Sequence, residues 1–207
     1  MTSTKRIGHA TALGVAMLIG GGVSAPCSWA AYTVPLVQQG ANVVAAGSGS
    51  IDTQGLSFHG HSGAVAAITP SSGTILTGPI GGEAPQAVDT YTGFTGPMSF
   101  GSGPAILASS GSGNIAGLQG VDLGRVLAVP LGYVSDSPLS ATATYNNATF
   151  TTLGATPGTY VWTWGSGADA DSFTLQIGPA AVPEPASLML LAVGLAGLGM
   201  VLRTRRA

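Results

Sequence analysis

Tyr160, Trp162 and Trp164 stand at alternate positions, and on a strand alternate side chains share one face. A flat aromatic row of that kind can stack sugar rings. It can equally form the inner face of a β-sandwich with Phe173, Leu175 and Ile177, and the size of the rings favours the core. The segment that follows the row runs from Gly165 through Gly167 to Asp169 and Asp171. Carboxylates on a glycine-rich loop can hold Ca²⁺, but that ion takes roughly six to eight oxygens. Only two carboxylates are supplied here, and Asp and Gly suit an ordinary solvated turn. His59 and His61 are two apart, so on a regular strand they share a face and could chelate a transition metal. No third ligand accompanies them, and surface histidines are the expectation.

Other chemistry is thinly represented. There is no Gly-x-Ser-x-Gly, no His-Glu-x-x-His and no phosphate-binding loop. The only cysteine, Cys27, lies near the N-terminus, so the remainder of the chain has no disulfide and no thiol chemistry. No metal or other cofactor is expected, and the chain is expected not to be an enzyme. Charge is scarce as well: 7% of the 207 residues are charged, while 33 are glycine. Residues 31–182 carry seven acids (Asp52, Glu83, Asp89, Asp122, Asp136, Asp169, Asp171) against one base, Arg125, a net charge of −6 with no lysine. A surface of that kind cannot neutralise phosphates, which excludes nucleic acid as a partner.

The two ends carry the remaining charge and the most specific signals. Lys5 and Arg6 precede an uncharged, mostly apolar run over 10–23, and Ser28 and Ala30 place small side chains at the −3 and −1 positions. This is the layout of a secretory signal peptide over 1–30, cut between Ala30 and Ala31 by signal peptidase after passage through the Sec translocon. At the other end Pro183, Glu184 and Pro185 precede 17 uncharged residues, 186–202, and then Arg203, Arg205 and Arg206. As a helix that run is about 26 Å long, enough for a slightly short membrane span with snorkelling arginines. Arginines at its far end would put the C-terminus in the cytoplasm and residues 31–182 outside.

Pro-Glu-Pro, an apolar helix and a terminal basic cluster, in that order over 182–207, resemble the PEP-CTERM sorting domain. The resemblance implies recognition by an exosortase, a membrane-embedded cysteine transpeptidase-like enzyme of Gram-negative bacteria that make exopolysaccharide. It implies cleavage near the Pro-Glu-Pro and delivery of the domain to the cell surface. Two prolines keep the backbone out of helix at that point, leaving an extended segment for a processing enzyme to bind. The implied route starts with an inner-membrane-anchored protein whose domain is periplasmic, and ends at the cell surface or in the extracellular matrix.

The elements that must position the aromatic row are strands. Gly, Ser, Thr, Ala and Val dominate, turn signals are dense from 40 to 120, and no run between them is long enough for a helix. Short runs over 42–46, 56–59, 65–68, 74–77 and 105–108 are of strand length. Residues 125–134 read as an edge strand or as two short strands because of Pro130 and Gly132. Residues 140–152 are threonine-rich and β-prone, and 159–164 and 172–177 alternate as the arms of a hairpin. The expectation is an all-β, antiparallel sandwich or jelly-roll-like domain over 31–180. A signal-peptide helix would precede it, and a sorting tail over 181–207 with a transmembrane helix at 186–202 would follow. Residues 153–169 and 173–177 also look like a segment recurring in PEP-CTERM proteins, a group to which no activity attaches.

The functional expectation is a non-catalytic surface or matrix component, sorted by an exosortase-like partner and residing in an exopolysaccharide or biofilm layer. The second reading is a carbohydrate-binding module using Tyr160, Trp162 and Trp164. A third and weaker one is a matrix-acting hydrolase, which would show as two close carboxylates in a cleft.

Overall fold

The computed structural model describes residues 31–80, 85–121 and 124–178. They form thirteen strands: β1 (Ala31–Gln39), β2 (Asn42–Gly49), β3 (Ser57–Ala64), β4 (Ala67–Thr69), β5 (Thr74–Thr77), β6 (Gln86–Thr92), β7 (Ile106–Leu107), β8 (Ser110–Gly113), β9 (Ala116–Val121), β10 (Gly124–Pro130), β11 (Leu139–Tyr145), β12 (Gly158–Trp164) and β13 (Asp171–Ile177). Among the described residues the one α-helix is a single turn, α1 (Phe150–Leu153). Thr149 and Thr152 cap that turn reciprocally and Gly154 ends it at φ 63°. The threonine-rich segment therefore leaves the strand conformation after Tyr145.

The strands make two sheets. One has six strands in the order β12-β13-β1-β2-β11-β8, the other seven in the order β3-β6-β10-β9-β5-β4-β7. Alternation builds the core between them. Tyr32, Val34 and Leu36 of β1, Trp162 and Trp164 of β12, and Phe173, Leu175 and Ile177 of β13 are buried in one cluster with Ile68, Ile75, Leu118 and Leu127 of the second sheet. Tyr32 also links the sheets by a hydrogen bond, its hydroxyl lying 3.2 Å from Thr77 Oγ1, which donates to the Ala116 carbonyl at 3.1 Å.

The architecture corrects the sequence-based expectation in two respects. First, the six-stranded sheet is mixed. β1 runs parallel to β13, Ala31 beside Ser172 and Leu36 beside Ile177, and antiparallel to β2. Six plus seven strands in these orders are neither an antiparallel sandwich nor the double Greek key of a jelly roll. The physical cause is that the first and last described strands fill one sheet side by side. Second, among the described residues no helix is long and apolar enough to cross a membrane. The described residues thus supply neither the expected membrane helix nor the inner-membrane anchoring that it implied. The segments 1–30 and 186–202 to which the helical expectations applied lie outside the described residues.

Candidate functional site

Ser28, Ala30, Pro183, Glu184, Pro185, Arg203, Arg205 and Arg206 lie outside the described residues. Ala31, the residue expected to follow the signal-peptide cut, is exposed and opens β1. From Ala31 onward the backbone is already committed to a ladder with β13.

The aromatic row is not a sugar platform. Trp162 is 0% exposed and Trp164 4%. The Trp162 indole donates to the Pro97 carbonyl at 2.9 Å and meets Phe173 edge-on, with ring centroids 5.8 Å apart. The Trp164 indole donates to the Asp52 carbonyl at 2.7 Å. Only Tyr160 is partly exposed, and it packs against Phe100 while its hydroxyl donates to the Thr156 carbonyl. The reading of Tyr160, Trp162 and Trp164 as a carbohydrate face is thereby corrected. The outer residues of β12 are Thr159, Val161 and Thr163.

Asp169 and Asp171 separate. Asp169 is exposed in a 3-10 turn, Gly167–Asp169. Asp171 is buried at the start of β13, with Oδ2 accepting from the Asp52 amide at 2.7 Å and Oδ1 from its neighbour Ser172 at 2.6 Å. Asp52, also buried, accepts on Oδ1 from the Ser135 hydroxyl and the Gln54 amide, both at 2.8 Å. These bonds knot the 51–54 segment, the 133–137 loop and the β12–β13 hairpin together. Burial pushes the Asp171 carboxyl up to about 6, and the Asp52 and Asp136 carboxylates add to that, against the opposing pull of the two amides. Asp171 also lines a cleft of about 490 Å³ with Thr95, Thr163 and Trp164.

The histidines are parted by a β-bulge. Phe58 pairs with Tyr91, but the next pair is Gly60 with Thr90, then His61 with Asp89. His59 is the extra residue, so the expected common face of His59 and His61 does not exist. The bulge instead puts Phe58 and His61, three apart, on one face with Tyr91 and Asp89. His61 Nδ1 lies 2.7 Å from Asp89 Oδ1, and Asp89 Oδ2 accepts from the Gly132 amide at 2.9 Å. Phe58 meets His61 and Tyr91 edge-on at 5.3 and 5.6 Å, and is itself 55% exposed. Burial and then the Asp89 carboxylate push the Tyr91 phenol above its usual range, so its hydroxyl remains a donor at neutral pH. Among the described residues no group of three His, Cys, Asp or Glu is placed to hold a metal ion. Of this cluster only His61 stood out in the sequence, through its spacing from His59. Phe58, Asp89 and Tyr91 lie scattered over 34 positions, and the signal that joins them is cross-strand pairing.

A larger hollow of about 660 Å³ lies on the outer face of the seven-stranded sheet, lined by Thr69, Ser72, Thr74, Leu76, Gln119 and Arg125 among others. Arg125 does not present a free charge there. Its guanidinium donates to the carbonyls of Gly96 and Pro97 and sits 5.7 Å from the Phe94 ring, pinning the loop after β6. The same Pro97 carbonyl receives the Trp162 indole, so that loop and the aromatic core are held as one unit.

Comparison with known families matches residues 181–206 to the PEP-CTERM protein-sorting motif. No curated protein and no solved structure matches the chain.

Proposed function

We propose that this chain is an exported, non-catalytic component of an exopolysaccharide or biofilm layer, delivered to the cell surface by exosortase-type processing of its tail. The observation that carries the reading is the sorting motif over 181–206, which marks a protein destined for surface sorting. Three features of the domain support it. Its large aromatics are spent on the core, its buried acids Asp52 and Asp171 hold backbone amides, and its single base Arg125 holds a loop. A lysine-free, net-negative domain also has little attraction for nucleic acid or anionic lipid.

The hydrolase reading has one observation in its favour: Asp171 lines the 490 Å³ cleft and is bonded to the backbone amide of a second acid, Asp52. Both acids are less than a tenth exposed, and their carboxylates hold the amides of Asp52, Ser172 and Gln54 and the Ser135 hydroxyl. A carboxylic acid so engaged is poorly placed to reach a glycosidic oxygen.

The test is the intact mass of the protein recovered from the native cell surface and medium. A chain beginning at Ala31 and ending near residues 183–186 supports processing at both ends. A chain still carrying residues 1–30 and 187–207 overturns the proposal.

A further inference from the structure

We infer that the Phe58–His61–Asp89–Tyr91 cluster at the β3 edge of the seven-stranded sheet is a binding site for a neutral polysaccharide, with Phe58 stacking a pyranose ring and the His–Asp pair and Tyr91 holding its hydroxyls. The inference rests on the matrix residence proposed above, and names where the domain would touch that matrix.

Position comes first. β3 is the terminal strand of its sheet, so a long polymer can lie along it without entering a cavity. Phe58 and His61 are both more than half exposed there. Pairing with β6 places Tyr91 and Asp89 on the same face, which is the core-facing side of the sheet where it reaches its edge: β10 pairs Leu127 with Tyr91 and Val129 with Asp89, and both partners belong to the core.

Chemistry comes second. A pyranose offers an apolar C–H face and a rim of hydroxyls. An exposed phenylalanine beside a hydrogen-bonding set matches both, whereas the buried tryptophans match neither. Asp89 fixes the imidazole: with Nδ1–H donating to Oδ1, the ring leaves Nε2 for a ligand hydroxyl, and the Tyr91 hydroxyl is a donor. A hydroxyl, which both donates and accepts, suits such a set. The bulge is what brings Phe58 beside His61. Gly60 takes φ 153° within it, a backbone conformation suited to glycine.

Charge selects the polymer. The domain carries seven acids against one base, and that base is engaged with backbone carbonyls. An acidic polysaccharide would meet net repulsion from such a domain. The ligand class is therefore neutral.

The experiment is affinity electrophoresis of the full chain in gels containing hydroxyethyl cellulose, dextran or galactomannan, with alginate as the acidic comparator. Retardation by at least one neutral polymer and none by alginate is expected. Phe58→Ala should weaken the retardation about tenfold, which is what loss of about 1.4 kcal/mol of ring stacking gives. Phe58→Tyr should retain it, which separates loss of stacking from loss of fold, and His61→Ala should weaken it severalfold. No retardation by any neutral polymer, binding to alginate, or unchanged binding by Phe58→Ala overturns the site. None of those outcomes touches the sorting reading, which the intact mass tests separately.

Discussion

Replacing Asp171 by asparagine should remove the pH dependence of stability that its carboxyl carries, so that the variant gains on wild type as pH rises from acid to neutral. The carboxyl is buried at the β12–β13 hairpin beside Asp52 and within the field of Asp136. Its pKa is raised from 3.8 to about 6, chiefly by burial. The folded protein therefore binds this proton more tightly than the unfolded chain does. The stability linked to it is fully present below about 3.8 and is lost as pH rises through about 6. At roughly 1.4 kcal/mol for each tenfold difference in proton affinity, ionisation of Asp171 removes on the order of 2–3 kcal/mol between about pH 4 and pH 7.5. Asparagine has the shape of the protonated acid. Its Oδ1 accepts one of the two backbone amides, from Asp52 or Ser172, while its NH2 faces the other N–H and leaves that bond unmade, a cost that is the same at every pH. Urea unfolding followed by fluorescence of the buried Trp162 and Trp164 gives the two free energies. The expected result is a wild-type stability that falls from about pH 4 to pH 7.5, and an Asp171→Asn variant that gains on it by 2–3 kcal/mol over the same interval, as estimated from that linkage. If the variant is less stable by the same amount at both pH values, the amides hold the carboxylate more strongly than burial disfavours it. The reasoning would then be refuted.

Two further expectations concern buried tyrosines of the core. Gly47 faces the buried Tyr32, and a Cβ there would collide with the ring and its hydroxyl, so Gly47→Ala should break the Tyr32–Thr77 bond and lower stability by about 1–3 kcal/mol. A urea midpoint equal to wild type would mean that the ring yields without loss. The hydroxyl of Tyr145 is buried with no hydrogen-bond partner, and burial pushes its pKa well up. Tyr145→Phe should therefore be neutral or stabilising by up to about 1 kcal/mol in the same assay, and a clear loss of stability would contradict the assignment.

Some of this molecule was legible residue by residue. The hairpin arms over 159–164 and 172–177 alternate in the sequence and become β12 and β13, because one buried face imposes a period of two. The run over 74–77 is a strand as read, β5. The sorting signal is also a property of sequence, since a processing enzyme reads contiguous residues, and the match over 181–206 needs no fold.

Whatever depends on partners far apart along the chain was decided by tertiary structure. β1 carries Pro35, which argues locally against an interior strand. It is nonetheless interior, because its ladder to β2 skips Val34 and Pro35 while Tyr32, Val34 and Leu36 fill the core. Its parallel pairing with β13 joins residues about 140 positions apart, which no local pattern encodes. Asp171 looked like part of a solvated turn and became the centre of a buried knot, because Asp52 and Ser135 arrive from other segments. His59 and His61 looked like a pair, and one bulged residue gave His61 to Phe58 and Asp89 instead. Local composition sets which residues will be extended, and the sorting motif is a contiguous run over 181–206. Which side chains meet is set by register and strand order, because each is a property of two segments at once.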